Sequence, residues 1–263
     1  MSDHDKGQGR PPSGEADAKA PGLAAIDVNE YGGKKDGERQ AMNRRLFMQL
    51  LVFQASDDPS THSRRLAERL HEHHVPAVVY DDANDPRGIG LLTWSEDPAH
   101  FVDRVRHVLS DSALVALRLR SEFTMLGRTY ATGHEPQLAW SLLERPIENA
   151  ANPAFDWAVW YPLRRTGAFS KLDPHEQGMI LREHAQIGMA YGQAELAHDV
   201  RLACHGIDTN DNDFVIGLLG RELHPLSHVV QSMRKTVQTS QYIEKMGPFF
   251  VGRVSHRVNP PTP

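Results

Sequence analysis

The chain has 263 residues, enough for one large or two small domains, and its 40% hydrophobic and 24% charged residues are an ordinary soluble, globular composition. Its 29 basic and 34 acidic residues are scattered and leave a net charge of −5, so no basic stripe points to nucleic acid. One cysteine, Cys204, excludes an internal disulfide and a CxxC pair and suits a reducing compartment. The longest apolar run, residues 46–53, is broken by Gln49 and too short to span a bilayer. With no basic and apolar leader at the start, the expectation is a cytoplasmic protein without a membrane partner.

Residues 1–42 are rich in Gly, Pro, Asp, Lys and Ala, with Tyr31 as their one aromatic, and are expected to form a disordered tail. From Arg44 the texture changes. Residues 46–54 read as a strand, 60–73 as a helix, 77–80 and 88–94 as strands, 98–109 as a helix starting on proline, and 114–130 as largely extended. That β-α-β-β-α-β order is a ferredoxin-like unit over residues 43–135. A connector over 136–154 is helical around 137–143. The same order returns over 155–257, followed by a short tail, 258–263.

The second unit aligns with the first without a gap over its central stretch. Asp81, Asn84, Gly90, Leu91, Leu92, Pro98 and Val102 fall opposite Asp208, Asp211, Gly217, Leu218, Leu219, Pro225 and Val229, a constant offset of 127. This is an internal duplication. The fold class expected is therefore α+β: tandem ferredoxin-like repeats of the dimeric α+β barrel type, with antiparallel sheets covered by helices.

Two lures carry little. Gly88-Ile89-Gly90 lies inside a strand and opens no helix, which argues against a dinucleotide loop. His71, His73 and His74 end a polar helix with no further ligand at sensible spacing, so a solvated helix end accounts for them. The second unit is richer. Ile180, His184, Ile187 and Tyr191 form one inward stripe on the helix over 174–191, and the first unit has no histidine in such a position. His184 is either a satisfied core histidine or a metal ligand. On the strand over 199–206, Arg201, Ala203 and His205 share one face and Val200, Leu202 and Cys204 the other. An arginine there needs a carboxylate at the rim, an anion, or a solvated cavity.

At these residues the sequence resembles the haem domain of the chlorite dismutase and coproheme decarboxylase family. The resemblance rests on Trp160-Tyr161-Pro162-Leu163, on Arg182-Glu183-His184-Ala185-Gln186-Ile187-Gly188, on Tyr191 and on Asp211-Asn212-Asp213-Phe214. Met233-Arg234 and Gly247-Pro248-Phe249-Phe250-Val251-Gly252 complete it, over about a hundred residues. It implies an iron porphyrin, haem b or coproheme, with His184 as the proximal iron ligand and Arg201 as the distal arginine of the chlorite-degrading members. Decarboxylases carry a glutamine or a small residue at that place. Tyr161 matches the tyrosine that decarboxylases oxidise to a radical beside a propionate, and Arg165 the cation that holds the second propionate. The glutamate that accepts a hydrogen bond from the proximal histidine is replaced, by Gln238 or alternatively Ser232, and about four extra residues fall around Gly192–Glu195. Family members assemble as rings, commonly homopentamers, so a homo-oligomer is implied.

The activity this implies is haem-dependent oxidation, with peroxide or chlorite as the small-molecule substrate. Tyr161 with Arg165 favours peroxide-dependent decarboxylation of coproheme to haem b, while Arg201 favours chlorite decomposition to chloride and dioxygen. Non-catalytic haem binding or sensing, a barrel without cofactor, and a merely structural strand aromatic at Tyr161 are the alternatives.

Overall fold

This computed structural model describes residues 25–259, and a polar hairpin is the first element among them. Strands β1 (Glu30–Lys35) and β2 (Glu38–Met42) pair antiparallel and reverse at Asp36-Gly37, whose φ values of 54° and 88° are the left-handed pair that a two-residue hairpin turn requires. This corrects the disordered-tail expectation for residues 30–42; residues 1–24 of that tail lie outside the described residues. The expectation failed because polar groups anchor the hairpin. The Gln40 amide donates to the carbonyls of Gly33, Glu135 and Pro136 at 3.1 Å each and accepts from the Leu138 N–H at 3.1 Å, and Arg39 lies 4.7 Å over the Tyr31 ring.

The first unit follows in the expected order: β3 (Phe47–Ala55), α1 (Pro59–Glu72), β4 (Ala77–Asp82) and β5 (Gly88–Ser95), then a π-helical turn over Phe101–Val105 leading into α2 (Arg106–Leu109), and finally β6 (Leu117–Leu119) and β7 (Met125–Thr129). Helix α1 starts where it does because Asp58 accepts the N–H groups of Ser60 and Thr61, with Pro59 in the first turn. The connector carries α3 (Arg145–Ala151). The second unit comprises β8 (Trp157–Arg165), α4 (Gly167–Ser170), α5 (Pro174–Gln193), β9 (His198–Ala203), β10 (Phe214–Gly220), α6 (Leu223–Met233), α7 (Val237–Tyr242), β11 (Ile243–Met246) and β12 (Phe250–Val258). Val258, expected to begin the C-terminal tail, is a buried residue at the end of β12.

Strand pairing repeats the duplication. β3 pairs with β5 on one edge and with β7 and β6 on the other, as β8 pairs with β10 and with β12 and β11. The units join through β4·β12 and β7·β9, closing an antiparallel ring β3-β5-β4-β12-β8-β10-β9-β7. Closure leaves no open edge in that ring. The offset of 127 holds through the β5/β10 hairpin arms but not before them: Asp81 is in β4, whereas Asp208 is in the loop after β9.

Alternation then sorts side chains into an interior and an outer face. Met48, Leu50, Val78, Tyr80, Trp160, Val200, Leu202, Val215 and Phe250 fill the inside of the ring. Gly90 and Gly217 make room there: a Cβ on Gly90 would lie 2.4 Å from the Phe250 ring, and one on Gly217 2.5 Å from the Trp160 ring. Outside, α1 closes on the first unit and buries His62, Leu66, Ala67 and Leu70, so that, contrary to the expectation from sequence, the first unit's helix also carries a histidine on its buried stripe, where His62 pairs with Asp57. Its counterpart α5 buries none of its 20 residues, and Ile180, His184, Ile187 and Tyr191 are only half-buried. Among the described residues no helix is long and apolar enough to cross a membrane.

Candidate functional site

The floor of the site is the outer face of β9, β10 and β8. Register sets its side chains in rows: Ala203, Phe214 and Leu163; then Arg201, Ile216 and Tyr161; then Asp199, Leu218 and Val159. β7 meets β9 with Thr129 opposite Leu202, which brings the next residue, Tyr130, up to Arg201. The extra residues before β9 extend α5 to Gln193 and reverse at Glu195 (φ 55°), leaving Arg201 on the face expected of it.

The roof is α5, started by Asp173, whose carboxylate accepts the N–H groups of His175 and Glu176 at 2.8 and 3.0 Å. His184 is mid-helix on the floor-facing stripe. Its Nδ1 is buried without a partner. Burial first, then the positive charges of Arg165 and Arg201, pull its pKa below the usual histidine value, which favours the neutral ring.

Gln238 sits on α7, which packs on α5, with the Val237 N–H donating to the Glu183 carboxylate at 3.0 Å. Gln238 is buried, and its Oε1 also lacks a partner. The hydrogen bond that the resemblance implies between Gln238 and His184 is not formed; the helices are pinned by the residues next to each. Ser232, the other candidate, is 3.2 Å from the Tyr191 hydroxyl.

Arg165 lies at the end of β8 with its guanidinium 4.2 Å from the Phe169 ring centre and 4.9 Å from that of Phe214. No carboxylate lies within ion-pair distance of it among the described residues, its Nε is buried without a partner, and burial pulls its pKa down. A cation so placed is a ready anion site. Tyr161 is buried and stacks on Phe249, ring centres 4.6 Å apart at 25°. Gly247, at φ 101°, makes the turn that delivers Phe249. Burial, with help from the Asp199 charge, pushes the Tyr161 phenol well above its ordinary range, so it holds its proton.

Arg201 is paired through Nε with Asp199 Oδ2 at 3.1 Å, and Asp199 is paired in turn with Arg145 of α3. Burial alone would raise the Asp199 carboxyl; Arg201 and Arg145 outweigh it and hold the group below the usual carboxylate range. Cys204 faces the barrel interior, donates to the Asn212 carbonyl at 3.1 Å and is pushed up to about 12 by burial, an inert packing residue.

Sequence reasoning missed Tyr130, Asp199 and Arg145. Tyr130 is half-buried with its ring 5.6 Å from Phe214, its phenol raised by burial and pulled back by Arg201 and Arg165. Strand alternation alone would have put Asp199 on the face of Arg201. The other two are brought in by long-range pairing.

These residues fit an iron porphyrin. Among the described residues no cluster of three or more His, Cys, Asp or Glu could hold a bare metal ion, whereas an iron porphyrin brings most of its own ligands and could be held by a single histidine. The neutral His184, whose Nδ1 has no partner, has the chemistry such a ligand needs, and Arg165, with no carboxylate in ion-pair distance among the described residues, has that of a carboxylate-binding cation.

The barrel resembles several solved structures. A proposed chlorite dismutase, TA0507, matches with a TM-score of 0.65 at 15% identity, over 81% of this chain and 96% of that one. A haem-binding protein from Thermus thermophilus matches with a TM-score of 0.61 at 17% identity, over 81% and 92%. The chlorite dismutase of Candidatus Nitrospira defluvii in complex with imidazole matches with a TM-score of 0.63 at 14% identity, over 82% and 93%. No curated protein matches the sequence. The model of the family described as chlorite dismutase matches residues 102–255, more than half of the chain and all of the site's floor and roof; the protein belongs to the chlorite dismutase family.

Proposed function

We propose that the protein is a haem-dependent oxidoreductase that decarboxylates coproheme to haem b with peroxide. The observation that carries this reading is the pairing of a buried, oxidisable phenol, Tyr161, with an unpaired guanidinium, Arg165, on the floor that the neutral His184 imidazole faces. Membership of the family and likeness to a haem-binding protein support the cofactor. His184 would hold the iron, and Gln238, on the α7 helix packed against α5, would supply an acceptor for its second nitrogen. Converting each propionate to a vinyl group releases carbon dioxide, one proton and two electrons, and peroxide takes up the electrons as it becomes water. An iron porphyrin supplies the one-electron steps that connect the two.

The chain's own groups do the rest. Arg165 binds one propionate carboxylate and so aims its neighbour at Tyr161. Tyr161 gives up its electron and proton together and recovers a hydrogen atom from the propionate chain; its raised pKa rules out a standing phenolate. Phe249 against its ring and the closed barrel behind it keep water away. Arg201, with neither terminal nitrogen paired among the described residues, stabilises negative charge on the oxidant.

That same arginine favours the second reading, chlorite decomposition, which needs neither Tyr161 nor Arg165. Non-catalytic haem binding is the third, favoured by a neutral amide, Gln238, rather than a carboxylate on the helix packed against that of His184. Coproheme-loaded protein given peroxide, with loss of carboxylates followed by mass, tests the first. Decarboxylation by the parent and none by Tyr161→Phe is the expected result; an inert parent, or two equally active proteins, overturns it. Oxygen release from chlorite that vanishes in Arg201→Gln would establish the second instead.

A further inference from the structure

We infer that Asp199 is the positioning residue for Arg201 and that the connector helix α3, through Arg145 and Asn149, holds Asp199 in place. The inference rests on the reading of the floor beneath α5 as an iron-porphyrin site where Arg201 would meet a bound anion. Asp199 and Arg201 are two residues apart on β9 and so share the outer face, where Asp199 Oδ2 meets Arg201 Nε at 3.1 Å. The carboxylate approaches Arg201 at Nε as an ion pair, and neither terminal nitrogen of Arg201 makes a hydrogen bond among the described residues, which leaves them free to meet an anion.

Asp199 is fixed from behind. Arg145 pairs with its Oδ1 and Asn149 donates to its backbone carbonyl at 3.0 Å, both from one face of α3. Two α3 side chains thus clamp the strand at the residue that holds Arg201. An arginine with 41% of its side chain exposed would otherwise sample many rotamers, and ordering it on each binding event would weaken affinity. The bland account is that Arg145 and Asp199 tie the connector to the barrel and Arg201 is a bystander. The two differ in what Arg201 does when the carboxylate is lost.

The test uses Asp199→Asn, which keeps shape and removes charge, with Arg201→Gln as reference. In the protein without porphyrin, the Arg201 Nε–H order parameter from NMR relaxation should be that of an ordered side chain in the parent and fall below about 0.6 in Asp199→Asn. In the ferric-haem-loaded protein, fluoride should dissociate about tenfold faster from Asp199→Asn, as from Arg201→Gln, with association unchanged or faster, since a negative charge has been removed. Arg145→Gln, which leaves Asp199 charged but released from α3, should shift both readouts in the same direction by less, and it serves should Asp199→Asn not fold. A mobile Arg201 in the parent, or fluoride dissociation from the Asp and Arg145 variants equal to the parent's, overturns the inference. If the parent takes up no porphyrin, the cofactor reading falls, while the order parameters still decide whether Asp199 holds Arg201.

Discussion

Arg201 and Tyr161 stand in one cross-strand row, each directly opposite Ile216, one on each side of it. The residue proposed to manage charge on the oxidant and the residue proposed to be oxidised are therefore two strands apart on one rigid floor, roughly 10 Å by strand spacing. A flat ligand lying on that floor can reach both.

Replacing Gln238 with Glu puts a charged acceptor within the packing of α5 on α7, where Nδ1 of His184 lacks a partner. A stronger acceptor makes the imidazole a stronger donor to iron. The expected outcome is a lower ferric/ferrous midpoint potential in Gln238→Glu than in the parent, measured by spectroelectrochemistry of the haem-loaded proteins. An unchanged or higher potential would remove Gln238 from the proximal side.

The pH dependence follows from the depressed His184 pKa. In the unfolded chain this histidine takes up its proton near 6.5, but in the fold burial, Arg165 and Arg201 keep it neutral to lower pH. The unfolded state thus binds the proton first, so this group's contribution to stability is full above about 6.5 and is lost as the pH falls below it. Haem affinity should likewise stay flat down to about 6.5 and weaken only below, because iron and proton compete for one nitrogen. Equilibrium haem titrations over roughly pH 5 to 8, the range in which histidines change charge, check this; a steady loss of affinity that begins well above neutrality would contradict it.

Two glycine substitutions should move stability in opposite directions. Gly217→Ala pushes a methyl group into the Trp160 ring inside a closed barrel, and should destabilise by about 1–3 kcal/mol. Gly178→Ala adds one on α5 where nothing lies within 4 Å, and should stabilise by about 0.5–1 kcal/mol through helix propensity. Urea denaturation of both proteins settles the signs.

Arg165→Ala removes the unpaired cation between Phe169 and Phe214. Affinity for a porphyrin bearing propionates should fall by about tenfold, the worth of a charge-assisted contact, while affinity for its ester derivative should change little. Equal losses for acid and ester would show that Arg165 acts through packing alone.

Much of the fold was legible because its signals are local. Gly90 and Gly217, with Pro98 and Pro225 at equal distances beyond them, mark the same hairpin arm and helix start in both units, and the barrel needs both glycines. His184 was legible because a helix repeats every 3.6 residues, and its stripe faces the floor. The hairpin at residues 30–42 was not, since it is held by Gln40 and backbone carbonyls nearly a hundred residues away rather than by an apolar pattern. Tyr130 was hidden for a similar reason: it reaches Arg201 only because β7 and β9 join the two units. Asp199 was visible on its strand, but Arg145, which gives it its setting, arrives from the connector.

The most direct measurement is a titration of ferric coproheme into the parent and into His184→Ala, followed by the Soret band. The account predicts a saturable shift in the parent and an affinity weakened at least about tenfold to a hundredfold in the variant. No shift in the parent, or the same shift at the same affinity in both, would contradict the claim that His184 makes the face between α5 and the floor of β9, β10 and β8 an iron-porphyrin site.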